Sequence, residues 1–161
     1  MTAGRASTKI GTLEEIGRRI GEERARGGRI ALATGSFDVL HVGEVRYLQA
    51  ARATADRLVV AVSDDESVRR REGPGRPWQP EEDRALLVAA LRGVDHVIVL
   101  PESDLDRVLQ TLRPDAWCRR AGAAPDTAAE GEAVRAYPGR VVLLDDPTAP
   151  DTRALVERLR G

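Results

Sequence analysis

The sequence predicts an α/β fold, a doubly wound and mostly parallel five-stranded sheet. Three observations lead there: near-continuous apolar runs of strand length, amphipathic helical segments alternating with them, and turn or cap chemistry at the joins. "RIALAT" (29–34) and "RLVVAVS" (57–63) are apolar at almost every position. That is the pattern of parallel strands covered on both faces. Ahead of them, "TLEEIGRRIGEER" opens with a capping-box pair, Thr12 and Glu15, and puts Leu13, Ile16 and Ile20 on one helical face. Gly17 and Gly21 weaken that helix. "GEVRYLQAARATA" joins the two strands as a helix and makes a β-α-β unit. "QPEEDRALLVAALRG" has Pro80 in its first turn, three acids beside it and Gly93 as a stop. "HVIVL" (96–100) is a third strand, "SDLDRVLQTL" a helix begun by Ser103, and "DAWC" (115–118) a fourth strand. "TAAEGEAVRAY", "RVVLL" (140–144) and "DTRALVERLRG" complete a helix, a strand and a last helix. The linker-like stretches are residues 1–10, expected as a disordered tail before a single domain over 11–161, and the loop "RRREGPGRPWQP".

A chain of 161 residues with 42% hydrophobic content is enough for one core. The formal net charge of -1 gives no bulk electrostatic reason to bind nucleic acid or a membrane surface, so any anion site must be local. The single Cys118 forms no internal disulfide, and the first residues lack the pattern of a signal peptide. With no apolar run of membrane length, the sequence reads as that of a soluble, cytoplasmic protein. No cluster of His, Cys or carboxylates has metal-ligand spacing, so no protein-held metal is expected.

Ligands of such a sheet sit beyond the carboxyl ends of the strands, where the strand order reverses. The first strand leaves through "TGSFDVLH". Gly35 there allows a tight turn and a close approach, while the next helix offers free N–H groups and a positive dipole end. Phosphate is the natural guest. His41 could donate to charge developing on a phosphoryl group, and Glu44 lies one turn further on the same side. By itself, a histidine beside a turn is more often a structural hydrogen bonder.

"TGSFDVLHVGEVRYLQAAR" resembles the signature of the cytidylyltransferase-like nucleotidyltransferases, whose motif is H-x-G-H after the first strand. "RLVVAVSDDESVRR", "GPGRPWQPEEDRALLVAALRGVDHVIVL" and "LRPD" resemble more narrowly the bacterial D-glycero-D-manno-heptose 1-phosphate adenylyltransferases. "TKIGTLEEIGRRIGEERARGGRIALATG" is similar to their lead-in. The resemblance implies a Rossmann-like nucleotidyltransferase fold. It also implies transfer of a nucleotidyl group, from ATP with Mg²⁺, to a sugar 1-phosphate, with pyrophosphate leaving. On matching positions it implies catalytic roles for His41, Glu44 and Arg119. Thr34, Gly35, Ser36, Phe37, Asp38 and Gly43 would line the nucleotide, and Asp151, Thr152 and Arg153 would hold the outer phosphates. Its implied partners are a nucleotide and a sugar phosphate, with no nucleic acid or membrane, and related enzymes commonly form homodimers.

The departures from that pattern share a direction. Glu44 stands at the second histidine of H-x-G-H, Arg119 at a lysine, and Asp151 at a serine, while Thr152 is kept and Arg153 is new. Unit charges about 4 Å apart interact by on the order of 4 kcal/mol at an effective dielectric near 20. An unanswered carboxylate would therefore cost roughly a thousandfold in binding or rate. Glu44 could be protonated, hold Mg²⁺, or pair with an arginine such as Arg119 or Arg153. Equally, Glu44 and Asp151 could simply favour helix starts. Three functions stay open: transfer to a sugar 1-phosphate, transfer of a cytidylyl group to glycerol phosphate or another alcohol phosphate, and binding without turnover. Arg69, Arg70, Arg71 and Arg76 are either a flap over a substrate phosphate or a solvated charge run. Arg84 matches a family arginine, with a helix-neighbour ion pair as its plain alternative. Asp38 matches a strand-end aspartate or forms a local turn. Trp78, Trp117 and Cys118 are expected to pack, and His96 has no assigned role.

Overall fold

The computed structural model describes residues 6–120, 128–145 and 152–160. Its elements run α1 (Leu13–Ala25), β1 (Ile30–Gly35), α2 (Val42–Ala53), β2 (Arg57–Ser63), α3 (Asp65–Glu72), α4 (Glu81–Ala90), β3 (His96–Leu100), α5 (Leu105–Leu112), β4 (Ala116–Arg120), α6 (Ala128–Ala136), β5 (Arg140–Leu144) and α7 (Thr152–Arg160). The five strands lie in the order β3-β2-β1-β4-β5 and every pairing is parallel. The order reverses at β1, which has β2 on one side and β4 on the other. The crevice for a ligand therefore opens beyond Gly35 and Arg120.

The double covering of the sheet follows from the strands' period of two. Ala31, Ala33, Leu58, Val60 and Val62 face one way and pack with Tyr47, Leu48 and Ala51 of α2 and Ala85, Val88 and Ala89 of α4. Ile30, Leu32, Val59 and Ala61 face the other way, onto Leu13, Ile16 and Ile20 of α1 and Val108, Leu109 and Leu112 of α5. The α1 capping box forms as read, with Thr12 Oγ1 accepting from Glu15 N at 3.2 Å and Glu15 Oε2 accepting from Thr12 N at 3.0 Å. Trp117 is buried in the second layer, edge-on to Tyr137 at 5.9 Å, and Cys118 is buried in the first. No helix among the described residues is long and apolar enough to cross a membrane.

Three boundaries differ from the sequence expectation. Residues 6–10 are not a loose tail: Ser7–Lys9 form a 3₁₀ turn, Ile10 makes a bridge to Val97, and Lys9 Nζ donates to Leu91 O at 3.0 Å. Residues 1–5 lie outside the described residues. The segment read as loop from 69 begins as helix α3. Its signal is electrostatic rather than apolar: Asp64 caps Ser67 N at 2.8 Å, Asp65 and Glu66 open the helix, and Arg69, Arg70 and Arg71 end it. The fourth strand runs on to Arg120, two residues past the expected end, and so takes both arginines into the sheet's alternation.

One buried side chain joins the strand ends to the helices after them. Arg84 is 0% exposed. Its Nη1 donates to Ser36 O at 2.5 Å and Ser63 O at 2.8 Å, its Nε to Gln79 O at 3.0 Å, and its Nη2 to Asp65 Oδ1 at 2.7 Å. These partners are carbonyls at the exits of β1 and β2 and the carboxylate that opens α3, not helix neighbours. A guanidinium supplies several donors in a fixed fork, which is what four acceptors from four segments require.

Two tests follow from this packing. Truncating Arg84→Ala leaves Asp65 and three carbonyls without their donor and should cost about 3–5 kcal/mol in urea unfolding. The α1 glycines should behave oppositely to each other. A Cβ at Gly17 would sit 3.0 Å from Thr111 Cγ2 of α5, whereas one at Gly21 meets nothing within 4 Å. Gly21→Ala should therefore stabilise by about 0.5–1 kcal/mol, while Gly17→Ala gains nothing or loses.

Candidate active site

A cleft of about 750 Å³ opens beyond β1, lined by Ser36, Asp38, Glu44, Arg71, Arg76, Trp78 and Thr152 among others. It gathers part of the set expected from the sequence. Thr34 and Gly35 instead line a smaller cavity of about 70 Å³ with Ser63, Arg71 and Glu102. Gly35 remains within β1, paired with Val62. The space of its missing side chain is filled by the Phe37 ring, which a Cβ there would meet at 3.1 Å. Gly35 thus makes room for Phe37, whose backbone takes a left-handed φ of 51° there.

His41 is the N-cap of α2. Its Nδ1 accepts from Gly43 N at 3.0 Å, and its Nε2 lies 2.9 Å from Thr152 Oγ1. Acceptance at Nδ1 places a ring proton on Nε2, so Nε2–H points at the Thr152 hydroxyl. Gly43 serves the histidine through its backbone. Capping by Glu44, one of the sequence expectations, belongs instead to the imidazole. Because Thr152 is the first residue of α7, the bond draws the amino ends of two helices to one place. Free N–H groups and dipole ends then converge there.

Glu44 is 13% exposed and 4.0 Å from His41 Nε2. Of the answers open to it, pairing with arginine is the one observed, but the partner is neither Arg119 nor Arg153: Arg120 Nη2 is 2.6 Å from Glu44 Oε2. Strand alternation is the reason. Arg119 points to the Trp117 side of the sheet, 5.7 Å above that ring and 8% exposed, whereas Arg120 points to the α2 side, 4.8 Å over the Tyr47 ring. Tyr47 is itself fixed, its OH donating to Cys118 O at 2.8 Å; burial pushes its phenol well above the ordinary range. Asp151 and the Arg153 side chain lie outside the described residues.

Asp38 does not form a local turn. Its carboxylate accepts from Arg76 Nε at 2.7 Å, Trp78 N at 2.9 Å and Gln79 N at 3.0 Å, and so folds the loop after α3 back over the cleft. Arg76 also meets Glu72 Oε2 at 2.5 Å and lies 3.7 Å over the Trp78 ring. Arg71 pairs with Glu72 at 3.1 Å and with Glu102. Arg71 and Arg76 lie at the cleft, each paired with acids, while Arg69 and Arg70 sit exposed on α3. Trp78 is 42% exposed and belongs to the cleft rather than the core, against expectation. Ser63, Glu102 and Arg120 went unmarked by sequence reasoning; only Arg120, next to the flagged Arg119, carried a signal. Among the described residues there is no group of three or more His, Cys, Asp or Glu able to hold a metal.

Residues 32–144 match the model of a family described as Cytidylyltransferase-like. Over 150 residues the chain is 40% identical to "Bifunctional protein HldE" of Alkalilimnicola ehrlichii, covering 93% of this chain and 31% of that protein. The protein of the same name from Pseudomonas syringae pv. syringae is 40% identical over 149 residues, with 92% and 31% covered. The chain thus spans about a third of the length of these curated relatives, 31% in each case. A crystal structure of the lipopolysaccharide core biosynthesis protein from Thermoplasma volcanium superposes with a TM-score of 0.65 at 27% identity, over 74% of this chain and 98% of that one. Pantoate-beta-alanine ligase from Francisella tularensis, at TM-score 0.59 and 11% identity over 88% of this chain and 68% of that one, shares the fold alone. With a family match running from β1 to β5 and two helix starts meeting at its His41, the chain belongs to the cytidylyltransferase-like family.

Proposed function

We propose that this chain transfers a nucleotidyl group from a nucleoside triphosphate, ATP, to a sugar 1-phosphate of the heptose class and releases pyrophosphate. The observation that supports it best is the His41–Thr152 contact, which sets two helix starts side by side at the edge of the cleft. In the reaction an oxygen of the acceptor phosphate attacks the α-phosphorus. The bond from that phosphorus to the bridging oxygen breaks, and the electron pair leaves with pyrophosphate. No protein nucleophile is needed; the chain's task is alignment and charge stabilisation. His41 Nε2–H and the Thr152 hydroxyl are placed to donate to phosphoryl oxygens once a ligand parts them. Arg71 and Arg76, across the cleft, are placed for the acceptor phosphate. In this reading Arg119 leaves β4 on the Trp117 face, so it is not the cation that answers Glu44.

A divalent cation supplies charge neutralisation to a bound triphosphate. Asp38 and Glu44 are taken up by Arg76 and Arg120. The residues at hand therefore fit Mg²⁺ carried in by the nucleotide's own oxygens rather than a protein cage. We place the reaction in the cytoplasm, on small molecules, with a homodimer as the working assembly. A second reading, binding without turnover, is supported by the exchange of the second histidine of H-x-G-H for Glu44, which takes one donor from the site.

Pyrophosphate release, measured with Mg²⁺ across nucleoside triphosphates and sugar or alcohol phosphates, should be fastest with ATP and a heptose 1-phosphate. Fastest release with CTP and glycerol phosphate would replace the substrate pair. No release from any pair, together with a thermal shift from a triphosphate, would establish the binding-only reading. In the active protein His41→Ala should lower kcat about 10²–10³-fold, the range for losing a preorganised donor. Thr152→Val keeps the shape but loses the hydroxyl, and should lower kcat/KM about tenfold.

A further inference from the structure

Glu44 lines the cleft, and its ion pair with Arg120 is left unused by the proposed reaction. Arg120 is held from two sides. Glu44 meets its Nη2 at 2.6 Å, and the Tyr47 ring lies 4.8 Å beneath its guanidinium carbon. Tyr47 cannot swing away, because its OH is bonded to Cys118 O of the same strand. Nη2 is buried against the Glu44 carboxylate, while the Arg120 side chain as a whole is 38% exposed. A guanidinium held in direction by one carboxylate still has donors of its fork to offer a further acceptor. A polyphosphate, with several oxygens in the geometry of the arginine fork, is the acceptor that suits it. The pair also removes the difficulty posed by an acid at position 44. With Arg120 against it the local charge sums to zero, so Glu44 does not expel a triphosphate from the neighbourhood of His41 Nε2, 4.0 Å away.

We infer that Arg120 is the triphosphate-binding arginine on the α2 side of the cleft, and that Glu44 is its positioning residue, acting through the guanidinium rather than on the nucleotide. The inference deepens the nucleotidyl-transfer reading and rests on the same cleft receiving polyphosphate. It moves the cation one residue along β4, from Arg119 to Arg120. It also accounts for the exchange of a histidine for a glutamate as half of a two-residue replacement.

The test is titration calorimetry of the full chain with ATP–Mg²⁺ and, separately, with inorganic tripolyphosphate, alongside pyrophosphate release. Arg120→Ala should weaken both ligands about tenfold or more, and Arg120→Lys should recover part of that loss as a point charge without the fork. Glu44→Gln should weaken binding by about threefold to tenfold with Arg120 present and have no further effect on Arg120→Ala, the coupling expected of a positioning residue. Wild-type affinity in Arg120→Ala would overturn the inference, as would an equal Glu44→Gln effect with and without Arg120. Should Arg120→Ala fail to fold, Arg120→Lys and Glu44→Gln decide alone, and wild-type affinity in both overturns it. A wild-type protein that binds tripolyphosphate but releases no pyrophosphate ends the transfer reading while Arg120 is still judged by the binding series. One that binds neither ligand ends both.

Discussion

The arrangement of the strand ends depends on a single buried guanidinium. The parallel strands all leave the sheet in the same direction, and the exits of β1 and β2 carry carbonyls that must be satisfied within a few residues of the ligand cleft. Arg84 meets that demand from α4 by taking Ser36 O, Ser63 O and Gln79 O together with the Asp65 carboxylate. The first three are uncharged backbone oxygens, and the guanidinium they meet is 0% exposed. The cation is therefore held by backbone dipoles and one counter-ion, a more favourable state than a bare buried pair. Everything nearer the cleft is placed relative to these exits: the Phe37 turn, the start of α3 and the loop that Asp38 folds back.

Above that clasp the charges alternate. From Glu102 through Arg71, Glu72 and Arg76 to Asp38, each side chain is paired with the opposite charge of the next, and the series joins the turn after β3, α3, the loop after it and the turn after β1. Such a network leaves little unpaired charge in the empty cleft. It can also exchange partners: an incoming phosphate competes with carboxylates for two arginines, and the Arg–carboxylate and Arg–phosphate geometries are alike. Selectivity then lies in how many arginines a ligand can engage at once, rather than in the field of the protein, whose net charge is -1.

The strands were legible because a parallel strand buried on both faces writes a continuous apolar run, and "RLVVAVS", "HVIVL" and "RVVLL" begin and end where the sheet does. Helix α3 was not, since its residues "DESVRRRE" bury only Ser67 and Val68 and hold their shape by capping and charge order. His41 was legible as a residue at a helix start, but its bond to Thr152 is a contact 111 positions along the chain. Arg120 was missed for a local reason. With the strand expected to end at Cys118, neither arginine was placed in its alternation; once it runs on to Arg120, the parity of Cys118 puts Arg120 on the α2 side, and no composition or spacing rule fixes a strand end that closely. Asp38 was readable as a strand-end acid, while its partners at 76, 78 and 79 were not, because only folding brings that loop back.

The bridge from Ile10 to Val97 has a consequence of its own. An outermost strand offers its free amides and carbonyls to any extended chain, including a neighbour's, and so invites sheet-to-sheet association. Here the segment entering α1 lies along β3 and occupies part of that row, with Gly11 N donating to Val97 O at 3.1 Å. The stretch that reads as an unstructured leader thus blunts a self-templating edge, a protective duty independent of any ligand.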